Sequence, residues 1–239
     1  MESLLIPLFF VFGLVFGSFF NVVIYRLPRG LSLVKPGSRC PHCGHELKAF
    51  ELLPIFSFLW QKGRCRACKS AISWRYPVVE LVTGLGFALV AWHSVAWSDY
   101  VVGLVFFSAM VVLALIDLEH KVLPNVLTLP GVALGLLFAL LNWTIPLWPS
   151  LLGTLVGFGL LFAIALISRG GMGIGDAKLM ALIGSFFGWK AVFYILFGAA
   201  LLGSVGGLIF LYVTKQGRKT PIPFGPSLAA AALVYFFLA

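Results

Sequence analysis

The sequence predicts an all-α membrane protein: a polytopic bundle of about eight transmembrane helices, interrupted by one polar, cysteine-bearing loop. Three observations predict it. Of 239 residues, 61% are hydrophobic and only 10% charged, with a mean hydropathy of +1.04, whereas soluble domains carry about 25% charged residues. The apolar residues fall in runs long enough to cross a bilayer, since about 20 helical residues cover a ~30 Å core. All four cysteines fall in a single stretch, 26–75, that is too polar to enter lipid.

The formal net charge of +9 raises the question of nucleic acid. Ten of the seventeen Lys and Arg lie between Arg26 and Arg75, and most of the others sit in short gaps between apolar runs. That is the distribution of cytoplasmic loops, so membrane topology accounts for the charge and no nucleic-acid partner is expected.

Residues 4–24 read as a retained first span. Glu2 replaces the basic start of a cleavable signal, no small-residue cleavage site follows, and the apolar run continues to Ile24. Tyr25 and Arg26 mark an interface. After the polar loop, 78–92 form a second span with Glu80 in its first turn. A third, 100–118, carries Asp117 near its end, before a polar turn at Glu119, His120 and Lys121. Pro124-Asn125 opens the fourth, 125–143, and 149–168 form the fifth. Residues 178–188 are too few for a full perpendicular crossing, so they are a half-span or begin within Gly173–Asp176. Gly188-Trp189-Lys190 is read as a turn before 191–213. Lys215 to Lys219 make a basic loop, and Pro221 to Pro226 a rigid entry to the last span, 227–238. The division expected is 1–99, with the cysteine loop, and 100–239.

Threading eight spans puts sixteen of the seventeen basic residues on one side, with only Lys190 opposite. The positive-inside rule makes that side the cytoplasm and leaves both termini outside. Asp117 and Asp176 then lie at cytoplasmic helix ends.

The stretch Gly171-Met172-Gly173-Ile174-Gly175-Asp176 is the most informative. Gly171, Gly173 and Gly175 carry no Cβ and let backbone or substrate approach closely. Only eight acids occur in the chain, and two of them, Asp117 and Asp176, border spans on the same face. Two close carboxylates cannot both ionise cheaply, so one keeps a proton while the other activates water, the division of labour in aspartic peptide hydrolysis. The alternative is that each acid caps a helix. Asp176 suits a helix N-terminus, but Asp117 ends a helix, where an acid opposes the dipole. A further alternative is a transporter or assembly scaffold using the pair to bind ions.

Cys40-Pro41-His42-Cys43 and Cys65-Arg66-Ala67-Cys68 read as C-x2-C-x21-C-x2-C. Four thiolates at such spacing close a tetrahedral zinc site with no open position, which is a structural role. Two disulfides are the alternative, disfavoured by a reducing compartment. His42 and His45 could substitute as ligands, but four cysteines already suffice and the two are expected to be solvated loop residues.

With these residues in view, the chain resembles the bacterial type IV prepilin peptidases, within the GxGD group of intramembrane aspartyl proteases. The stretches that carry the resemblance are Gly17 to Pro28, the paired Cys-x-x-Cys motifs, Arg75 to Leu81, Asp117 to Asn125, Gly171 to Leu179, and Pro223-Phe224-Gly225-Pro226. They stand in the family's order along nearly the whole chain. The resemblance implies an inner-membrane enzyme that removes the basic leader of prepilin-like precursors at the cytoplasmic face, with the precursor's apolar helix near Gly171–Gly175. It implies methylation of the new N-terminus from S-adenosylmethionine, and Asp117 and Asp176 as the catalytic pair. Many relatives have Asp where this chain has Asn125, so no catalytic role is assigned there. Methylation is associated with the N-terminal half, which makes Asn21, Arg26, Glu80 and Gly84 its candidates. Glu80 can instead complement a helix dipole, and Gly84 can merely allow close helix packing. A related peptidase without methylation would lack the cysteine loop. No glycine-rich nucleotide fingerprint is present. Lys178 is expected to snorkel to lipid phosphates rather than tune the acids.

Overall fold

The computed structural model describes residues 2–168, 172–214 and 223–238. Gly171, the basic loop 215–219, Pro221 and Ile222 lie outside the described residues. The helices are α1 (Glu2–Arg26), α2 (Phe56–Trp60), α3 (Arg75–His93), α4 (Trp97–His120), α5 (Asn125–Leu140), α6 (Leu147–Ile167), α7 (Ile174–Thr214) and α8 (Gly225–Leu238). Among the described residues there are no strands, only two isolated bridges in the cysteine loop. Five helices, α1, α3, α4, α6 and α7, are long and apolar enough to cross a membrane, and α5 and α8 are shorter apolar helices. The chain is an integral membrane protein of helical architecture.

The helix ends follow local chemistry. Asp99 accepts the Val95 and Ala96 amides at 3.1 and 2.8 Å, satisfying donors at the start of α4. That helix runs on through Glu119 and His120, which the sequence had suggested as a turn. It stops at Lys121, whose φ of 53° is left-handed and whose amide reaches back to the Asp117 carbonyl at 2.9 Å.

The expected turn at Gly188-Trp189-Lys190 narrows to one residue. Gly188, at φ 80° and ψ 175°, interrupts α7, while Trp189 and Lys190 are helical. Only glycine adopts that backbone readily, and an added Cβ would also meet Ile145 Cδ1 at 2.9 Å. The arm 174–187 is about 21 Å long at 1.5 Å per residue, less than a full crossing. It begins at Ile174, inside the glycine stretch. Divided at Gly188, α7 brings the apolar helical segments among the described residues to eight, the number expected.

The chain forms two compact units, 1–104 and 105–239. In lipid, apolar faces gain little by leaving solvent, so helices associate through close packing of small residues. Each unit uses that device. In the first, α1 meets α3 through Gly13 and Gly17, where an added Cβ would lie 2.6 Å from the Thr83 carbonyl oxygen and 2.7 Å from Glu80 Cα. The outer stripes of these helices, Leu8, Val11, Phe12 and Val15 on α1 and Val78, Leu81, Val82 and Leu85 on α3, are left exposed for lipid. In the second unit, α7 is the hub. Gly131 and Gly135 of α5 face Leu182 and Ser185, and Gly153 and Gly157 of α6 face Gly184 and Met180. Gly153 and Gly184 are so close that a Cβ on either would collide with the other's carbonyl oxygen. The Ser150 hydroxyl donates to the Ser185 carbonyl in the same seam at 2.5 Å.

Gly153→Leu should force α6 off α7. Overpacking of this kind costs about 1–3 kcal/mol, or about 2–12 °C in a chain of this size. A melting experiment on purified protein checks it, and an unchanged midpoint would show that the seam is not tight.

Candidate functional site

Asp117 and Asp176 come together in the second unit. Asp117 sits in the last turn of α4 and Asp176 in the first turn of α7, and both are buried. The two carboxyl groups lie within electrostatic range of one another. Their supports differ. Asp117 Oδ2 accepts the Gly225 amide at 3.0 Å, and this donor, at the first residue of α8, has no partner within its own helix. A Cβ at Gly225 would sit 2.6 Å from the same Oδ2. Glycine is therefore the residue that lets the α8 backbone reach the acid. The Pro223–Pro226 stretch was legible as a rigid helix entry, but the hydrogen bond was not, because nothing local in the sequence pairs it with Asp117.

Asp176 stands at a helix N-terminus, as expected for a negative charge there, and its amide donates to the Gly173 carbonyl at 3.1 Å. Gly173 is exposed, and among the described residues an added Cβ would meet only Asp176 Oδ2 and the Gly175 nitrogen, at 3.7 and 3.9 Å. Gly175 packs tighter, 3.1 Å from Leu123 Cβ by the same measure. Lys178 has a partner that the sequence does not show. Its ammonium donates to Asn125 Oδ1 at 2.7 Å, which ties the start of α7 to the start of α5. This exposed bond puts a positive group two residues from Asp176.

In the first unit, the cysteine loop folds into two matching turns. The Cys40 amide donates to the His45 carbonyl and the Gly44 amide to the Cys40 carbonyl, at 2.9 and 3.0 Å. The Cys65 amide donates to Ser70 and the Lys69 amide to Cys65, at 2.8 and 2.9 Å. Gly44 and Lys69 take positive φ at equivalent places, and the bridges Arg39–Glu46 and Arg64–Ala71 close the two turns. The sequence shows only the shared C-x2-C. The repeated element is a backbone conformation.

The four sulfurs lie within 4.8 Å of one another, with Cys40 and Cys68 Sγ at 3.8 Å. Tetrahedral zinc with Zn–S of about 2.3 Å requires sulfurs about 3.8 Å apart, whereas a disulfide needs ~2.05 Å. The four thiols are free, so the donor set fits zinc and the disulfide alternative fails. Electrostatics agree. The Cys43 and His42 amides draw the Cys40 thiol down to about 6 against the effect of burial. The Ser70 hydroxyl and amide lower Cys68. At Cys43 the His45 amide pulls downward, but burial and the thiols of Cys68, Cys40 and Cys65 push it up to about 11. Metal-free thiols thus share few charges, and a cation relieves that competition.

His45, expected to be solvated, is instead partly buried against an acid. Its Nε2 lies 3.2 Å from Glu51 Oε2. Glu51 is buried and accepts the Lys48 amide at 3.0 Å, and this amide, then His45, holds its carboxyl below the usual range.

Of the residues expected for methyl transfer, Asn21 and Glu80 are buried in the α1–α3 seam. Asn21 Nδ2 donates to the Gly17 and Tyr76 carbonyls at 3.2 Å, while its Oδ1 is buried without a hydrogen-bond partner. Glu80 Oε2 accepts the Ile55 amide at 2.7 Å. Gly84 is a packing residue, its missing Cβ replaced by Leu14 Cδ2 at 2.7 Å. Arg26 turns to the loop, donating to the Ser32 and Gly37 carbonyls at 2.9 and 3.2 Å.

Three outcomes follow for this geometry. Cys40→Ser or Cys65→Ser should lose the metal, which elemental analysis of purified protein would show as a fall from one zinc per chain; no zinc in reduced wild type would reject the site. Because the Glu51 carboxyl is depressed in the fold, its contribution is present above the usual carboxylate range and lost as pH falls below that range. Glu51→Gln should remove it and speed zinc release to a chelator about five- to thirtyfold, for a loss of ~1–2 kcal/mol. Gly225→Ala should move Asp117 and lower whatever activity the pair performs by at least about tenfold, measured against an unchanged zinc content.

Comparison with known proteins identifies the family. Residues 11–94 match the Bacterial Peptidase A24 N-terminal domain, and residues 104–208 match the Type IV leader peptidase family. A prepilin leader peptidase/N-methyltransferase from Dichelobacter nodosus is 39% identical, covering 98% of this chain and 93% of its own. Proteins with the same description from Aeromonas salmonicida strain A449 and Bacillus subtilis strain 168 are 37% and 35% identical, covering 95% and 97% of this chain and 88% and 94% of theirs. No solved structure matches. With both family models matched and near full-length relatives above 30% identity, the chain belongs to the type IV leader peptidase family.

Proposed function

We infer that the chain is a membrane aspartic peptidase that removes the leader of prepilin-like precursors and then N-methylates the new terminus. The observation that carries the reading is the buried Asp117–Asp176 pair at neighbouring helix ends. One carboxylate, ionised, takes a proton from water as the water attacks the scissile carbonyl. The other, protonated, donates to the carbonyl oxygen and stabilises the tetrahedral intermediate. Collapse of that intermediate passes a proton to the departing amine. The Gly225 amide fixes Asp117, and the exposed Gly173 leaves room for an extended substrate backbone beside Asp176. The substrate is anchored by its own apolar helix among the spans.

Residues 1–99 are the methyl-transfer part. S-adenosylmethionine supplies a methyl group on a sulfonium centre. The fit rests on two buried acceptors, the unpartnered Asn21 Oδ1 and the Glu80 carboxylate, which suit a cation bearing an ammonium donor. Arg26 orders the loop beside α1, and Gly84 sets the helix approach. Zinc held by Cys40, Cys43, Cys65 and Cys68 folds a loop that has little apolar core of its own. The protein sits in the inner membrane with the loop and the acids cytoplasmic and both termini outside, the orientation that charge counting supports. The descriptions of the relatives carry both activities, which disfavours a peptidase without methylation and an ion-binding scaffold.

A prepilin-like precursor incubated with purified enzyme and S-adenosylmethionine should lose its leader and gain one methyl mass by mass spectrometry. Asp117→Asn and Asp176→Asn should each cut cleavage by at least about a hundredfold with the fold intact. Asn21→Ala should spare cleavage and lower methylation. Retained cleavage in either aspartate variant would refute the mechanism.

A further inference from the structure

The cysteine loop carries a feature that neither the metal nor the acids use. Beside α2 lies an open groove of about 870 Å³. Its floor is Phe50, Leu53, Phe56 and Trp60, all strongly exposed, with Trp60 90% accessible. Its rim is Lys62, Arg64, Arg66 and Lys69, and no acid lines it. The Arg66 guanidinium rests 5.2 Å from the Phe50 ring centroid.

The depth of this surface is fixed. Ile55, which leads into α2, donates its amide to Glu80 Oε2 at 2.7 Å. Glu80 is five residues into α3, about 7.5 Å along the helix axis, and its side chain slants back toward the N-terminus. Ile55 is therefore level with the opening turn of α3. Trp74 and Tyr76, both exposed, mark that turn as the headgroup zone. Ile55 takes φ 60°, an unusual conformation for a β-branched residue. The Glu80 bond holds it there, and the exposed aromatic residues stay at interface depth.

We propose that Leu53–Trp60 is an interfacial anchor, with Phe56 and Trp60 seated among lipid headgroups and Lys62, Arg64, Arg66 and Lys69 binding the phosphates of anionic phospholipid. Aromatic residues at headgroup depth beside a cluster of cations fit such a surface. Charge selects this occupant over the two others implied by the proposed function. A basic leader would be repelled by the four cations, and so would S-adenosylmethionine with its net positive charge. The leaflet is the cytoplasmic one if the orientation proposed above holds.

The test is hydrogen exchange of the full-length, zinc-loaded chain in nanodiscs of phosphatidylcholine alone or mixed with phosphatidylglycerol. Amides 53–60 should exchange about tenfold more slowly in the anionic discs, given the attraction per cation near such a surface. Combined Lys62→Gln, Arg64→Gln and Lys69→Gln should erase the difference while zinc content stays at wild type. Brominated headgroup-proximal lipid should quench less fluorescence in Trp60→Phe than in wild type. Equal exchange in both discs, or protection conferred by S-adenosylmethionine or a basic leader peptide in zwitterionic discs, would overturn the proposal. The readout is exchange rather than turnover, so it fails or succeeds separately from the peptidase reading.

Discussion

Burying a carboxylate among apolar helices costs several kcal/mol unless the charge is hydrogen-bonded or the group is kept protonated. The second unit is arranged around meeting that cost twice in one place. Asp117 is met by the free amide at the start of α8, which comes close only because residue 225 has no side chain. Asp176 is placed at the start of α7, where unpaired amides and the helix dipole favour a negative group. The glycine seams on α5 and α6 hold α7 in register, so the position of Asp176 follows from backbone packing rather than from a mobile loop. The Lys178–Asn125 bond pins the same helix start from its other side.

The first unit solves a different problem. Its loop is too polar for lipid and too poor in apolar residues to fold alone. Two backbone turns of the same form bring four thiols to a spacing that suits tetrahedral zinc, and a metal held there would replace the missing core. Glu51 and His45 brace one turn from behind. Glu80 joins the loop to α3 through Ile55. A residue first considered for methyl transfer therefore also sets where the loop stands on its helix pair, and the two roles place different demands on its carboxylate.

Much of this was legible in the sequence, for identifiable reasons. Spans announce themselves by apolar length, and cysteine pairs by spacing. The aspartates stood out because an acid is rare and costly in such a chain. The helix bounds shifted by a few residues, since polar ends such as Glu119 and His120 remain helical while their side chains reach water. Other features depended on long-range partners. Nothing near Gly225 in sequence points to Asp117, 108 residues away. Nothing near Lys178 in sequence points to Asn125, which accepts from its ammonium. The resemblance of the two cysteine turns lies in backbone angles that unrelated side chains can share. The glycine seams are patterned at four-residue spacing, but their facing helices are set only by the tertiary fold.

The central claim is that Asp117 and Asp176 act as one catalytic unit. The most direct measurement is the pH dependence of kcat/KM for cleavage of a prepilin-like substrate by the zinc-loaded enzyme. A pair that shares one proton between an acid and a base gives a bell-shaped profile, with two apparent ionisations that belong to the pair. A profile with a single limb, or one that is flat across the range where the protein stays folded, would contradict the account.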